Sequence, residues 1–211
     1  MYFDDLIPAV EAEVPMVSDP IYLYGISRAA RTFFKETEVW CEPLSHVAIG
    51  DGLSKFELEP FEESVIHTVP CILLDGVPLT SVSYSSIQYL ARRNGRPTSF
   101  HRKGNTVYIA PLPTSEFTLD VLGISVPTMA ATQVIADSYM EKYADAIVSL
   151  AISFITSMPN KPWTDLTTAR VNQARYEEDK LIARREALGY LDKYSNAMNY
   201  FGDGNARNSD Y

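Results

Sequence analysis

Apolar residues recur at three- and four-residue steps at both ends of the chain and alternate in short runs between them. In Ser18–Thr37, Leu23, Ile26, Ala30, Phe33, Phe34 and Thr37 line one side of a helix. Ser18 or Asp19 serves as its cap and Pro20 opens its first turn. A shorter helical pattern precedes it, with Leu6, Ile7 and Val10 apolar and a stop near Val14 and Pro15. Towards the other end, Gln133–Met158 places Ile135, Tyr139, Tyr143, Ile147, Ala151, Phe154, Ile155 and Met158 on one helical face. Pro159 ends this arm, because proline lacks an amide hydrogen and disfavours helical geometry in the residue before it. A second arm is then expected from Trp163 to about Asn199, with Asn160 or Lys161 preceding Pro162 near the first helical position and Asp165 where the helix dipole favours negative charge. At about 1.5 Å per residue this is a rod of roughly 55 Å. Pro159, Pro162 and Trp163 thus mark the corner of a helical hairpin.

The second arm has few apolar positions beyond its first turns: Trp163, Leu166, Ala169, Ala174, Leu181, Ile182, Leu188 and Leu191. Between them lies a stretch dense in both signs of charge, with Arg175, Glu177, Glu178, Lys180, Arg184, Arg185 and Glu186. One reading is a solvated face laced with i,i+4 pairs. The other is a helix that packs against copies of itself.

From Trp40 to about Thr128 the texture changes to short alternating runs broken by proline and glycine. Strands are expected at Ser54–Pro60, as two short pieces within Ser64–Leu74, and at Phe117–Ile124. Asp75-Gly76 is a tight-turn signal, Lys103-Gly104-Asn105 joins a hairpin between Thr98–Arg102 and Thr106–Ala110, and a short helix falls at Tyr84–Arg92. The pattern predicts an α+β protein: a helical domain over 1–39 and 128–199, an inserted antiparallel β-rich domain over 40–127, and a carboxyl-terminal extension over 200–211.

The 211 residues suffice for a sizeable core, and an apolar share of 46% is that of a globular protein. No apolar run is long enough to span a membrane and the first residues lack the order of a signal peptide, so a soluble protein made in the cytoplasm is expected. A net charge of −9 argues against a protein that grips nucleic acid, though not against one that lets it slide past. Cys41 and Cys71 are too few for a disulfide framework and read as small buried residues.

Candidate chemistry is thin. Gly50–Glu57 lacks the alternating oxygen ligands of a calcium loop. Glu57, Glu59, Glu62 and Glu63 read as a charged strand face and turn before they read as catalytic carboxylates. His46, His67 and His101 lie in separate segments without a nucleophile motif. No catalytic residue, metal site or cofactor is assigned, and the expectation is a protein that is not an enzyme.

A series of segments in fixed order, however, resembles a known family. These are Ile26–Thr37 with Trp40, Leu74–Leu79, Gly95–Phe100, Val107–Pro113, Leu119–Val121, Pro127, Tyr143–Ala151 and Met158–Asp165. In order and spacing they are similar to the head-to-tail adaptor (connector) proteins of short-tailed bacteriophages. Phe34 stands where family members often carry cysteine, and Val148-Ser149 where they carry glycine-alanine; both swaps concern packing.

The resemblance implies a ring, usually of twelve copies, docked on the portal protein at the head-tail junction of the virion. The helical part would line a channel that DNA crosses without sequence-specific binding, and the β module would meet tail nozzle and tail fibre proteins. The charged residues of the second arm would then lie between subunits. Tyr200, Phe201 and Tyr211 of the extension would anchor it to the portal. Two other readings stay open: another phage neck or tail-completion protein, and a small enzyme whose His or acidic residues converge from separate segments.

Overall fold

A computed structural model of the chain describes residues 2–50, 52–132 and 137–204, the side chains of 45–49, 137 and 193–204 excepted. After a 3-10 turn at Phe3–Leu6, the elements in chain order are α1 (Ile7–Glu13), α2 (Asp19–Thr37), β1 (Cys41–Ile49), β2 (Lys55–Glu57), β3 (Ser64–Leu74), β4 (Val77–Pro78) and β5 (Thr80–Ser81). They continue with α3 (Tyr84–Leu90), β6 (Ser99–Lys103), β7 (Thr106–Ala110), β8 (Phe117–Pro127), α4 (Asp137–Thr156) and α5 (Leu166–Gly204). The class is α+β, with two long helices closing the chain. The chain divides into two units: Met1–Trp40 with Phe61–Val65 and Ser125–Leu188, and Cys41–Pro60 with Ile66–Ile124 and Gly189–Tyr211.

The first unit is helical and its core is aromatic. Tyr22, Ile26, Phe33 and Phe34 of α2 are buried against Met140, Tyr143, Ile147, Ala151 and Ile155 of α4. Phe33 lies 5.1 Å from the Tyr143 ring, and Trp40 lies 5.7 Å from Phe34 and stacks on Phe61 at 6.1 Å. The two helices can come this close because position 25 is glycine: a Cβ there would sit 2.8 Å from Ile155 Cδ1. Tyr22 ties the preceding loop down, its hydroxyl donating to the Val14 carbonyl at 2.6 Å.

The corner between α4 and α5 differs from expectation. Pro159 does follow the end of α4, but α5 starts at Leu166, so neither Asn160 nor Lys161 caps it and Pro162 lies in the turn. The cap is Asp165, whose Oδ1 accepts from the backbone N–H of Thr167 (2.8 Å) and Thr168 (3.2 Å). The turn ahead of it is closed by Thr164, whose hydroxyl donates to the Met158 carbonyl and accepts from the Lys161 N–H. Those bonds hold Pro162 and Trp163 out of helical geometry. Trp163 is only half-buried against the helical core.

The second unit contains two four-stranded sheets, ordered β1-β8-β3-β4 and β2-β7-β6-β5. Asp75 and Gly76 both have positive φ (48° and 79°) in the turn that pairs β3 with β4. β6 and β7 form the expected hairpin. The module is not antiparallel throughout, because β5 joins β6 in parallel, Thr80 opposite Ser99. Its main core gathers Phe56, Ile72, Leu74, Phe100, Val107, Ile109, Leu119 and Val121. A smaller cluster contains Cys41, Leu122 and Ile124, with the half-buried Cys71 and Leu191 against it.

Candidate interaction surface

The inward face of α5 is made of residues that a hydropathy pattern does not pick out. Ala169, Asn172, Tyr176, Ala183 and Ala187 are buried, at steps of three, four, seven and four. Small side chains let the helix lie close to its neighbours, and Tyr176 fills the gap they leave. Its ring meets Phe33 edge-on at 6.4 Å, and its hydroxyl donates to Glu36 Oε2 at 2.7 Å. Burial raises the Tyr176 pKa, and the hydrogen bond and charge of Glu36 raise it further.

Several charges of α5 are engaged within the chain. Lys180 lies 3.2 Å from Glu36 and pairs with Glu177, whose pKa is lowered chiefly by that hydrogen bond. Arg184 donates to the Glu36 carbonyl at 3.3 Å. Glu186 accepts from Lys142 at 2.6 Å and from the Tyr143 hydroxyl at 2.8 Å, contacts that hold its pKa down. Tyr143 is shifted upward, first by burial and then by Glu186. Arg175 reaches Glu13 at 3.5 Å, and Asn172 donates to the same carboxylate at 3.1 Å. Of the seven charged residues singled out from the sequence, Arg175, Glu177, Lys180, Arg184 and Glu186 are therefore engaged within the chain. Glu178 and Arg185 form no hydrogen bond or ion pair with another described residue.

Large apolar residues are among those that α5 turns away from its own core. Leu166, Val171, Leu181, Ile182 and Leu188 are 58%, 47%, 63%, 58% and 52% exposed. Ala174 is exposed as well. Val171, Ala174, Glu178, Leu181, Arg185 and Leu188 follow one another at steps of three and four, which makes a single seam opposite the buried face. The sequence pattern marks Leu166, Ala174, Leu181, Ile182 and Leu188 as apolar but gives no sign that they face outward. The reason is that the core side is filled by alanines, Tyr176 and ion pairs. A signal was present in the spacing Ala169, Tyr176, Ala183, Ala187.

Tyr200 and Phe201 fall on the backbone of α5 with side chains outside the described residues, and Tyr211 lies outside the described residues altogether. His67 is exposed on β3, and His101, on β6, has Nδ1 2.9 Å from the Val82 carbonyl oxygen. The His46 side chain is outside the described set. Glu63 is taken up by Thr132, its Oε2 accepting from the Thr132 N–H at 2.8 Å. Burial pushes the Cys71 thiol pKa up. Among the described residues there is no group of three or more His, Cys, Asp or Glu placed to hold a metal ion, and no helix long and apolar enough to cross a membrane.

No protein-family model matches the chain, and no characterised protein matches it in sequence.

Proposed function

We propose that this chain is a virion structural protein, a head-to-tail adaptor whose copies form a ring between the portal and the tail and line the passage for DNA. The observation that carries the reading is the outward seam of α5, where Val171, Leu181, Ile182 and Leu188 are about half exposed or more among the described residues. Leaving a large aliphatic side chain in water forgoes about 1.5–3 kcal/mol relative to burying it. A row of them along one helix marks a contact surface. The order of segments shared with the adaptor family supplies the partner class: further copies of the same chain, then the portal. On this reading the hairpin of α4 and α5 provides the ring contacts. The inserted β-rich unit offers surfaces to tail nozzle and tail fibre proteins, and the acidic balance lets DNA slip past without being gripped.

Native mass spectrometry of the purified protein, alone and with the portal of the same phage, tests this. A ring-sized species is expected in at least one sample, and Leu181→Ser/Leu188→Ser should abolish it without lowering the melting temperature. A monomer in both samples would return α5 to a solvated face and overturn the reading.

A further inference from the structure

The helical unit carries two charged faces of opposite sign. Along the solvent side of α2, Tyr24, Arg28, Arg31 and Lys35 fall at steps of four, three and four, opposite the buried Ile26, Ala30 and Phe33. Together with Met129, Thr32 and Glu36 they line a groove of about 340 Å³, in which the Glu36 carboxylate is taken up by Tyr176 and Lys180. Tyr24 is 49% and Met129 52% exposed. Arg28 lies over the Phe154 ring at 4.5 Å and Arg31 donates to the Pro127 carbonyl at 2.6 Å, so both cations are held in place, and neither forms an ion pair among the described residues. Lys35 has no ion pair among the described residues.

The second face lies where α4 and α5 run side by side. Asp145, Glu178 and Asp179 line a groove of about 330 Å³ together with Val148, Ile152 and the Glu13–Arg175 pair. Asp145, Glu178 and Asp179 form no ion pair among the described residues. They crowd one another: the Asp179 pKa is raised by burial and then by Asp145 and Glu178. Ile182, one turn beyond Glu178, stands exposed at the rim, where Asp145 and Asp179 border it again. Both faces thus combine exposed apolar surface with charges that form no ion pair among the described residues, and the prevailing charges are opposite. The two grooves share no lining residue.

We propose that the α2 face of one copy docks into the α4–α5 groove of the next, with Arg28, Arg31 and Lys35 answering Asp145, Glu178 and Asp179 while Tyr24 and Met129 cover Ile182. This rests on the ring reading above and names its contact. Two distinct, complementary faces on one subunit make a heterologous interface, which propagates in one direction and gives a ring where the rotation from copy to copy closes. A second copy is the occupant that the charges select, since a chain of net charge −9 repels its own kind except where local signs are opposed.

The experiment uses two full-length variants, Arg28→Glu/Lys35→Glu and Asp145→Lys/Asp179→Lys, each checked for wild-type circular dichroism and melting. Arg31 is left in place because it ties α2 to Pro127. Each variant alone opposes like charges and should lose assembly, raising the concentration at half-assembly by at least about tenfold. Mixed in equal amounts, every contact pairs opposite signs again, and a ring of alternating copies should form. That mixed ring should weaken as salt rises from about 0.05 to about 0.5 M. Mass photometry reads all three samples. If either folded variant alone still forms wild-type rings, or if the mixture stays as small as its parts, this contact is wrong while the ring reading stands. If Arg28→Glu/Lys35→Glu keeps its rings but no longer retards duplex DNA, the basic face belongs to nucleic acid and the contact is overturned. If the wild type never assembles, alone or on portal, both fall together.

Discussion

Among the described residues Tyr176 is the one large side chain that α5 buries in the helical core, so its removal tests whether the helix is docked as described. It is 1% exposed, edge-on to Phe33, and donates at 2.7 Å to Glu36. Tyr176→Ala removes a whole ring from a packed site, which costs about 3–5 kcal/mol. Tyr176→Phe keeps the ring and removes only the hydroxyl. A hydrogen bond to a charged acceptor is worth about 1.5–3 kcal/mol. The lower end applies here, because the Glu36 side chain is 42% exposed and keeps Lys180 at 3.2 Å when the hydroxyl is gone. Urea unfolding followed by circular dichroism measures both, and a cycle with Glu36→Gln isolates the hydroxyl's share. The pH profile adds an independent readout. The native Tyr176 pKa is raised above its unfolded value near 10, so its contribution is complete below about pH 10 and lost as pH rises further. The decline of stability above about pH 10 should therefore be shallower in Tyr176→Phe than in the wild type. A Tyr176→Ala protein within about 0.5 kcal/mol of wild type would show that α5 is not held through this face, and the outward seam would lose its meaning with it.

Three further outcomes follow from separate parts of the molecule. In β8, Gly123→Ala should destabilise by about 1–3 kcal/mol in the same unfolding assay. Its new Cβ would fall 2.2 Å from Leu44 Cδ1 and 2.5 Å from Leu44 Cγ, at the bulge where β1 slips register between Pro43 and Ser45. Asp165→Ala should lower the urea midpoint at neutral pH by uncapping α5, and the difference from wild type should vanish in acid. The Thr168 and Thr167 hydrogen bonds hold the Asp165 pKa below its unfolded value near 4, so the stabilisation is present above that pH and lost as pH falls through the depressed pKa. Deleting Tyr200–Tyr211 should weaken capture on immobilised portal while leaving the melting temperature unchanged; undiminished capture would exclude these residues as anchors.

How far the chain can be read without its structure depends on what fills each buried face. Helix α2 is legible because its core side is aliphatic and aromatic throughout, so hydropathy and burial have the same period. The turns at Asp75-Gly76 and Gly104 are legible because left-handed backbone selects those residue types. β1 is not: Pro43 interrupts its alternation, and the bulge at Leu44 shifts one side of the pattern by a residue. Nor is the parallel pairing of β5 with β6, which two short segments separated by α3 do not announce.

Helix α5 is the instructive case, because its buried period runs through Ala169, Tyr176, Ala183 and Ala187 and not through its large aliphatics. Its outward residues are more apolar than its inward ones, and its inward charges are compensated by Glu13, Glu36 and Lys142 from elements far away in sequence. A helix sorted in this way spends its large aliphatics on a surface outside its own fold. The folded chain compensates several of the charges and leaves the leucines exposed, so on the proposed ring reading the residues that α5 offers to assembly are Val171, Leu181, Ile182 and Leu188 together with Glu178, Asp179 and Arg185, which form no ion pair among the described residues. Swapping the two sets distinguishes the roles. Neutralising Glu36 or Lys142 should lower the melting temperature of the isolated chain, whereas Leu181→Ser/Leu188→Ser should leave that temperature unchanged and remove only the assembled species.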